Sequence, residues 1–148
     1  MVGHDLFVAV EAIHLGKERV PELWTVESVT AVAGQGLEGD RHFHPEGAPA
    51  GQALTLVEAE NVESAGLEPG GTRRQLTVRG VDLNALVGKR FRVGEVECVG
   101  VELCEPCSHL EAMTRPGIIK DLLHRAGLNA DILTDGVISL GDEVTTLS

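Results

Sequence analysis

The sequence predicts a mostly β, barrel-like domain of mixed, largely antiparallel strands with a few short helices. Three observations carry that expectation. Short apolar-alternating segments, many of them Val-rich, recur along the 148 residues and are separated by turn residues, as in small barrels. Glycine is abundant at 18 residues, which suits tight turns between strands. Asp135-Gly136 lies between two apolar runs and has the chemistry of a hairpin turn.

The elements follow in order. Residues 5–15 read as a strand with Leu6, Val8, Val10 and Ala12 on one face. "TVESVTAVAG" (25–34) reads as a second strand. A Gly- and Pro-rich loop, 34–52, follows, of a length that usually signals function in a small domain. "ALTLV" (53–57) is a strand, and "EAENVESAG" (58–66) a short helix closed by Gly66. "QLTVRG" (75–80) is a strand, and "VDLNALVG" (81–88) a helical turn with Asp82 as N-cap. "RFRV" (90–93) alternates, Gly94-Glu95 turns the chain, and a new strand begins with Val96 and Cys98 on one face. Val99, Val101 and Leu103 then carry the apolar phase, a slip of one residue that predicts a β-bulge near Cys98 and Gly100. "CSHLEAM" (107–113) and "PGIIKDLLHRAG" (116–127) are helical, the latter opened by Pro116 and closed by Gly127. Residues 128–147 close the chain as strands. No repeat, linker or low-complexity stretch divides it, so residues 1–148 read as one domain, long enough to bury a core without staples.

Twelve Lys and Arg against 23 Asp and Glu give a formal charge of −11. Nucleic acid and anionic membranes repel such a surface, so neither is expected as a partner. The cations are uneven: Arg73, Arg74, Arg79, Lys89, Arg90 and Arg92 fall within one stretch. This strip leaves room for a small anion site at Arg73 and Arg74, with Lys17 and Arg19 away from it. The start, MVGHDLFVAVEAIH, has no basic residue at its head and Glu11 interrupts its apolar run, which fits neither a signal peptide nor a membrane span. With three cysteines and no leader, the expected compartment is a reducing cytoplasm with free thiols.

Three stretches carry chemistry. The first is "GVELCEPCSHLE" (100–111), with Cys104 and Cys107 around Glu105 and Pro106. A structural zinc site needs four ligands, and even with His109 there is no fourth. A thioredoxin-type pair needs a parallel α/β surround, which the pattern lacks. If Pro106 takes the first helical position, Cys107 falls in the first turn, where backbone N–H groups favour a thiolate. Glu105 and Glu111 push the other way, and two ordinary thiols remain the alternative. Cys98, on an apolar strand face, reads as core. The second stretch is "GLEGDRH" (36–42): its glycines permit close backbone approach, and Arg41 can grip a carboxylate or phosphate. A surface turn with an internal Asp40–Arg41 pair is the alternative; His42 and His44 could bind metal on an extended strand, with two exposed loop histidines as the plainer reading. The third is "TRRQLTVRGVDLNALVGKRFRVG" (72–94), whose arginines, with Gly80 and Gly88, could cradle a phosphate or form a solvated basic face.

These stretches, in this order, resemble the MOSC domain, the family named for the C-terminal domain of molybdenum cofactor sulfurase, and in particular its small free-standing bacterial members. The family pattern runs through a G-L-x-G-D-R loop, an R-R-N-like stretch leading into V-x-G-V-D-L-x-x-L-x-G, and a late P-C. Here these read "GLEGDR" (36–41), "RRQLTVRGVDLNALVG" (73–88) and "EPC" (105–107), and the closing "ISLGDEV" (138–144) is similar too. Gln75 departs from the pattern, where relatives tend to have Asn.

The resemblance implies a barrel-like β fold and a molybdenum cofactor (molybdopterin). Cys107 is then the catalytic residue and metal ligand. Gly39, Asp40, Arg41, Arg73, Arg74, Gln75 and Gly80 become the cofactor-binding residues. Larger relatives reduce N-hydroxylated compounds, so the implied activity is such a reduction, fed by an external electron-donor protein. The alternatives are a sulfur carrier with a persulfide on Cys107 and a non-catalytic binding domain. Cys104 is expected to be dispensable.

Overall fold

Val93 and Val96 face inward on either side of the turn at Gly94-Glu95 and close an antiparallel hairpin. The computed structural model describes residues 9–147. Its strands are β1 (Ala9–Gly16), β2 (Leu23–Thr25), β3 (Ser28–Val32), β4 (Gly36–Leu37), β5 (Leu54–Glu58), β6 (Leu76–Arg79), β7 (Arg90–Val93), β8 (Val96–Leu103), β9 (Leu128–Ile132), β10 (Gly136–Ser139) and β11 (Val144–Thr146). Three short helices, α1 (Ala59–Ser64), α2 (Ser108–Met113) and α3 (Ile118–Leu122), and a 3-10 turn at Leu83–Leu86 complete it.

Eight strands form one sheet in the order β11-β7-β8-β9-β5-β6-β1-β2, and β10-β3-β4 form a second. All pairings are antiparallel except β5 with β6. Ala9 of β1 bridges to Glu143 just before β11, so the large sheet curls into a half-barrel. The alternation expected of half-buried strands fills its inside. Leu54 and Leu56, Leu76 and Val78, Phe91 and Val93, Val96 and Cys98, and Leu128, Ala130 and Ile132 form one buried cluster. A smaller cluster of Ala65, Leu110, Ile118, Leu122 and Ala126 holds α2 and α3 to the end of α1.

Several expectations change in detail. Asp135-Gly136 does not close a hairpin between β9 and its successor. β9 already has β8 on one edge and β5 on the other, so no ladder is open there. The chain leaves the large sheet, and β10 pairs with β3 instead. Asp135 marks the corner by accepting the Ala33 N–H at 2.7 Å.

The bulge of β8 is present and falls between Gly100 and Glu102. A second, in β1 between Val10 and Ala12, moves the core face from Val10 to Ile13, so the alternation read through Ala12 ends at Val10. Leu6 and Val8 lie outside the described residues. Asp82 precedes the 3-10 turn but makes no side-chain cap; the Leu83 N–H is met by Glu58 at 3.1 Å. The loop 34–52 holds the two-residue β4. The helix expected over 116–127 is confined to Ile118–Leu122.

Candidate functional site

The link between β8 and α2 presents Cys107. Its backbone is extended (φ −130, ψ 172), which makes it the N-cap of α2 rather than a member of the first turn. Pro106 therefore precedes the cap, and Ser108 is the first helical residue. Cys107 is exposed while Cys104 is half-buried. Burial pushes the Cys104 thiol up, and the nearby Arg74 guanidinium opposes it. Cys98 lies in the core, where burial pushes its thiol up to about 12. All three cysteines are free thiols. Among the described residues no three His, Cys, Asp or Glu side chains are grouped to hold a metal by themselves.

Cys107 opens onto a shallow depression of about 330 Å³, lined also by Arg41, His42, Thr72, Arg73, Arg74, His109 and Leu110. The three motifs thus converge, but their residues divide into those that face the depression and those that build it. Arg41 and Arg73 face it. Neither has a carboxylate partner among the described ion pairs. Arg73 donates to the Pro21 carbonyl at 2.8 Å, and Arg41 donates from Nε to His42 Nε2 at 3.1 Å. Burial, then repulsion from Arg41, holds the Arg73 guanidinium below its ordinary range. Arg73 also sits at φ 63, a left-handed conformation costing a non-glycine residue about 1–2 kcal/mol. Two guanidinium groups that repel each other, with no carboxylate partner among the described ion pairs, form a place where an anion would be welcome.

Asp40, Gln75 and Arg74 build the floor. Asp40 is buried and accepts three hydrogen bonds: Gly16 N–H at 2.8 Å, His42 N–H at 3.1 Å and Gln75 Nε2 at 2.8 Å. Gln75 Oε1 in turn accepts the Thr55 N–H at 2.9 Å. Neither side chain lines the depression. Arg74 lines it but donates to four carbonyls, those of Ala126, Thr72, Cys104 and Glu105, so it straps the Cys107 link to the chain entering β9. Glu105 ties the same link from outside through the His124 N–H at 2.7 Å and its ring at 2.6 Å. Those contacts, the backbone bond first, hold its carboxyl below the usual range. Gly39 takes φ +85 in the turn before Asp40, a conformation glycine adopts without strain.

Gly80 is elsewhere. Its N–H donates to Glu60 at 2.8 Å, and it lines a separate cavity of about 500 Å³ with Asp82, Lys89 and Val144. That cavity is larger than the depression but has neither thiol nor histidine. The basic strip disperses too: Arg79 at the end of β6 pairs with Glu11 and Glu63, and Arg90 on β7 pairs with Glu97, because the strip spans a loop and two different strands. Lys17 lies over the Trp24 ring. Arg19, expected apart from the site, lines a neighbouring depression that shares Arg41 and His42.

Four lining residues, His42, Thr72, His109 and the apolar Leu110, were not among the expected site residues. Thr72 is fully buried, and its hydroxyl has no hydrogen-bond partner. His42 is lowered below its ordinary range, chiefly by partial burial, with Asp40 opposing and Arg41 adding to it. A neutral ring accepting from Arg41 at Nε2 carries its proton on Nδ1. His109 follows Cys107 by two positions. No sequence signal marked Thr72, since an unpartnered hydroxyl exists only once its surroundings are folded.

Solved structures share this architecture. YuaD from Bacillus subtilis superposes with a TM-score of 0.77 at 17% identity, over 93% of this chain and 94% of that one. YiiM from Geobacillus stearothermophilus gives 0.70 at 19% identity, over 94% and 75% of the two chains. YiiM from Escherichia coli gives 0.66 at 17% identity, over 95% and 70%. At these identities the likeness is one of fold. No curated protein sequence matches the chain. The sequence pattern of the MOSC domain matches residues 12–145, and the chain belongs to the MOSC domain family.

Proposed function

We propose that the chain binds a molybdenum-pterin cofactor at the Cys107 depression and reduces small N-hydroxylated compounds with electrons from an external donor protein. The observation that carries this is the meeting of one exposed thiol with two guanidinium groups that have no carboxylate partner among the described ion pairs. The residues present fit the group. Cys107 offers one thiolate to a metal whose other ligands the cofactor itself brings. Arg41 and Arg73 match its terminal phosphate, and the partnerless hydroxyl of Thr72 supplies a further polar contact.

When bound, the cofactor supplies two-electron redox chemistry at its metal. The chain's own part is positioning and proton handling. Arg74 and Glu105 hold the Cys107 link from two sides, so the thiol is fixed relative to the arginines. Reduction of an N–O bond consumes two protons and releases water. His109 lines the depression beside Cys107 and is the group placed to deliver a proton. His42, lowered chiefly by partial burial and further by Arg41, is disfavoured from adding positive charge at the anion site.

A second reading, a persulfide carrier, is favoured by the exposure of Cys107 and by neighbouring cations that stabilise a sulfur anion. Metal analysis and intact mass of protein made in a host that produces the cofactor separate the two. Stoichiometric molybdenum supports the reductase. A mass gain of one sulfur on Cys107 without metal supports the carrier. Neither, with a folded chain, leaves a non-catalytic binding domain.

A further inference from the structure

Strand β6 has two faces with different uses. Leu76 and Val78 point into the half-barrel core. Thr77 and Arg79 point the other way, toward α1. There a cavity of about 310 Å³ lies between α1, the chain after it, β1 and β6, walled by Ala12, Ala59, Val62, Leu67 and Pro69. This volume is at the lower end of the range for small-molecule sites, about 300–1,000 Å³.

Two independent features of this cavity point to a ligand. The first is Thr77, which lines it at 3% exposure while its hydroxyl has no hydrogen-bond partner. A buried hydroxyl without a partner costs about 1–3 kcal/mol, and valine has the same shape without that penalty. The second is the rim, which carries Glu11, Glu63 and Glu68. Arg79 pairs with Glu11 and Glu63, and Glu68 has no ion pair among the described residues. Three carboxylates against one guanidinium leave two net negative charges at the mouth. The cavity is thus acidic at its rim, apolar along its walls and polar at one buried point.

We infer that this cavity between α1 and β1–β6 binds a small aminoalkyl cation carrying a second hydrogen-bonding atom. Its ammonium group sits among the rim carboxylates, its hydrocarbon span lies on Ala59, Val62 and Leu67, and its second polar atom bonds the Thr77 hydroxyl. This site has the opposite charge preference to the Cys107 depression, and its lining shares no residue with it.

Three probes of one length separate these contacts: 6-amino-1-hexanol has both polar ends, hexylamine lacks the hydroxyl, and 1,6-hexanediol lacks the charge. In an NMR titration of the full chain, 6-amino-1-hexanol is expected to shift the amides of Ala12, Val62 and Thr77. Hexylamine and the diol should each bind about five- to tenfold more weakly. Thr77→Val should abolish the preference for the amino alcohol over hexylamine without lowering the melting temperature of the unliganded protein. Glu68→Gln should weaken both amines and leave the diol unchanged, and it keeps the test open if Thr77→Val folds poorly. Cys107→Ser should change none of these affinities. The inference is overturned if none of the probes perturbs these amides at about 10 mM, or if the amino alcohol and hexylamine bind the wild-type chain equally.

Discussion

Gln75 donates its side-chain amide to the buried carboxylate of Asp40 at 2.8 Å, joining two of the family's signature stretches across 35 positions of sequence. The pair lies beneath the Cys107 depression rather than in it. Asp40 also accepts the backbone N–H groups of Gly16 and His42, so one carboxylate fixes β1, the loop carrying Arg41, and the start of β6. Asp40→Ala leaves three donors in that floor without their acceptor and should lower unfolding free energy by about 3–5 kcal/mol. Urea denaturation of the purified variant measures this. A loss below about 1 kcal/mol would show that water replaces the carboxylate.

The two neighbouring arginines should separate cleanly. Arg73→Ala should weaken binding of the pterin phosphate, or of inorganic phosphate as its probe, by about tenfold or more, with the melting temperature nearly unchanged. Arg74→Ala should instead destabilise the fold, because four carbonyls lose their donor. Isothermal titration and a thermal melt on each variant read the two effects apart.

The thiols differ in exposure. Alkylation with peptide mapping should modify Cys107 first, whereas Cys104, pushed up by burial, should react only as the pH passes the ordinary thiol value of about 8.5. Cys107→Ser should abolish loading of molybdenum or sulfane sulfur, and Cys104→Ser should leave most of it. Equal losses from the two substitutions would mean that the pair acts together.

His14 is buried, its Nδ1 has no partner, and burial lowers its pKa. His42 is lowered as well. The folded values thus lie below the unfolded value of about 6.5. As pH falls, the unfolded chain takes up protons first, so the stability from these neutral rings is present above about 6.5 and is lost as pH drops through the folded values. Unfolding free energy measured from pH 8 to pH 5 should decline over the lower part of that range, and His14→Gln should flatten the decline. Glu58, raised chiefly by burial, contributes the opposite slope.

Two glycines stand where backbone meets backbone. A Cβ on Gly100 would lie 2.1 Å from the Leu86 carbonyl oxygen, and one on Gly127, at φ +128, 2.3 Å from that of Leu56. Neither carbonyl belongs to a side chain that could swing away. Alanine at either position should cost about 3 kcal/mol or more, read as a fall in melting temperature.

Local chemistry, legible in the sequence, determined the β-rich class, the positions of most strands, the turn at Gly94-Glu95, the bulge near Gly100 and the core place of Cys98. Each follows from alternation or turn propensity over a few neighbouring residues. The three motifs were legible as well, and they do meet around Cys107. The tertiary structure alone decided which of their residues face the depression. Asp40, Gln75 and Arg41 sit in similar motif contexts, yet a carboxylate and an amide that find each other turn inward, and a guanidinium with no carboxylate partner among the described residues faces out. Asp135-Gly136 has hairpin chemistry, but pairing goes to whichever strand edge is free, and both edges of β9 were already taken. The partnerless hydroxyls of Thr72 and Thr77 could not be foreseen for the same reason: a hydroxyl is satisfied or not by neighbours distant in sequence, and local pattern does not encode them.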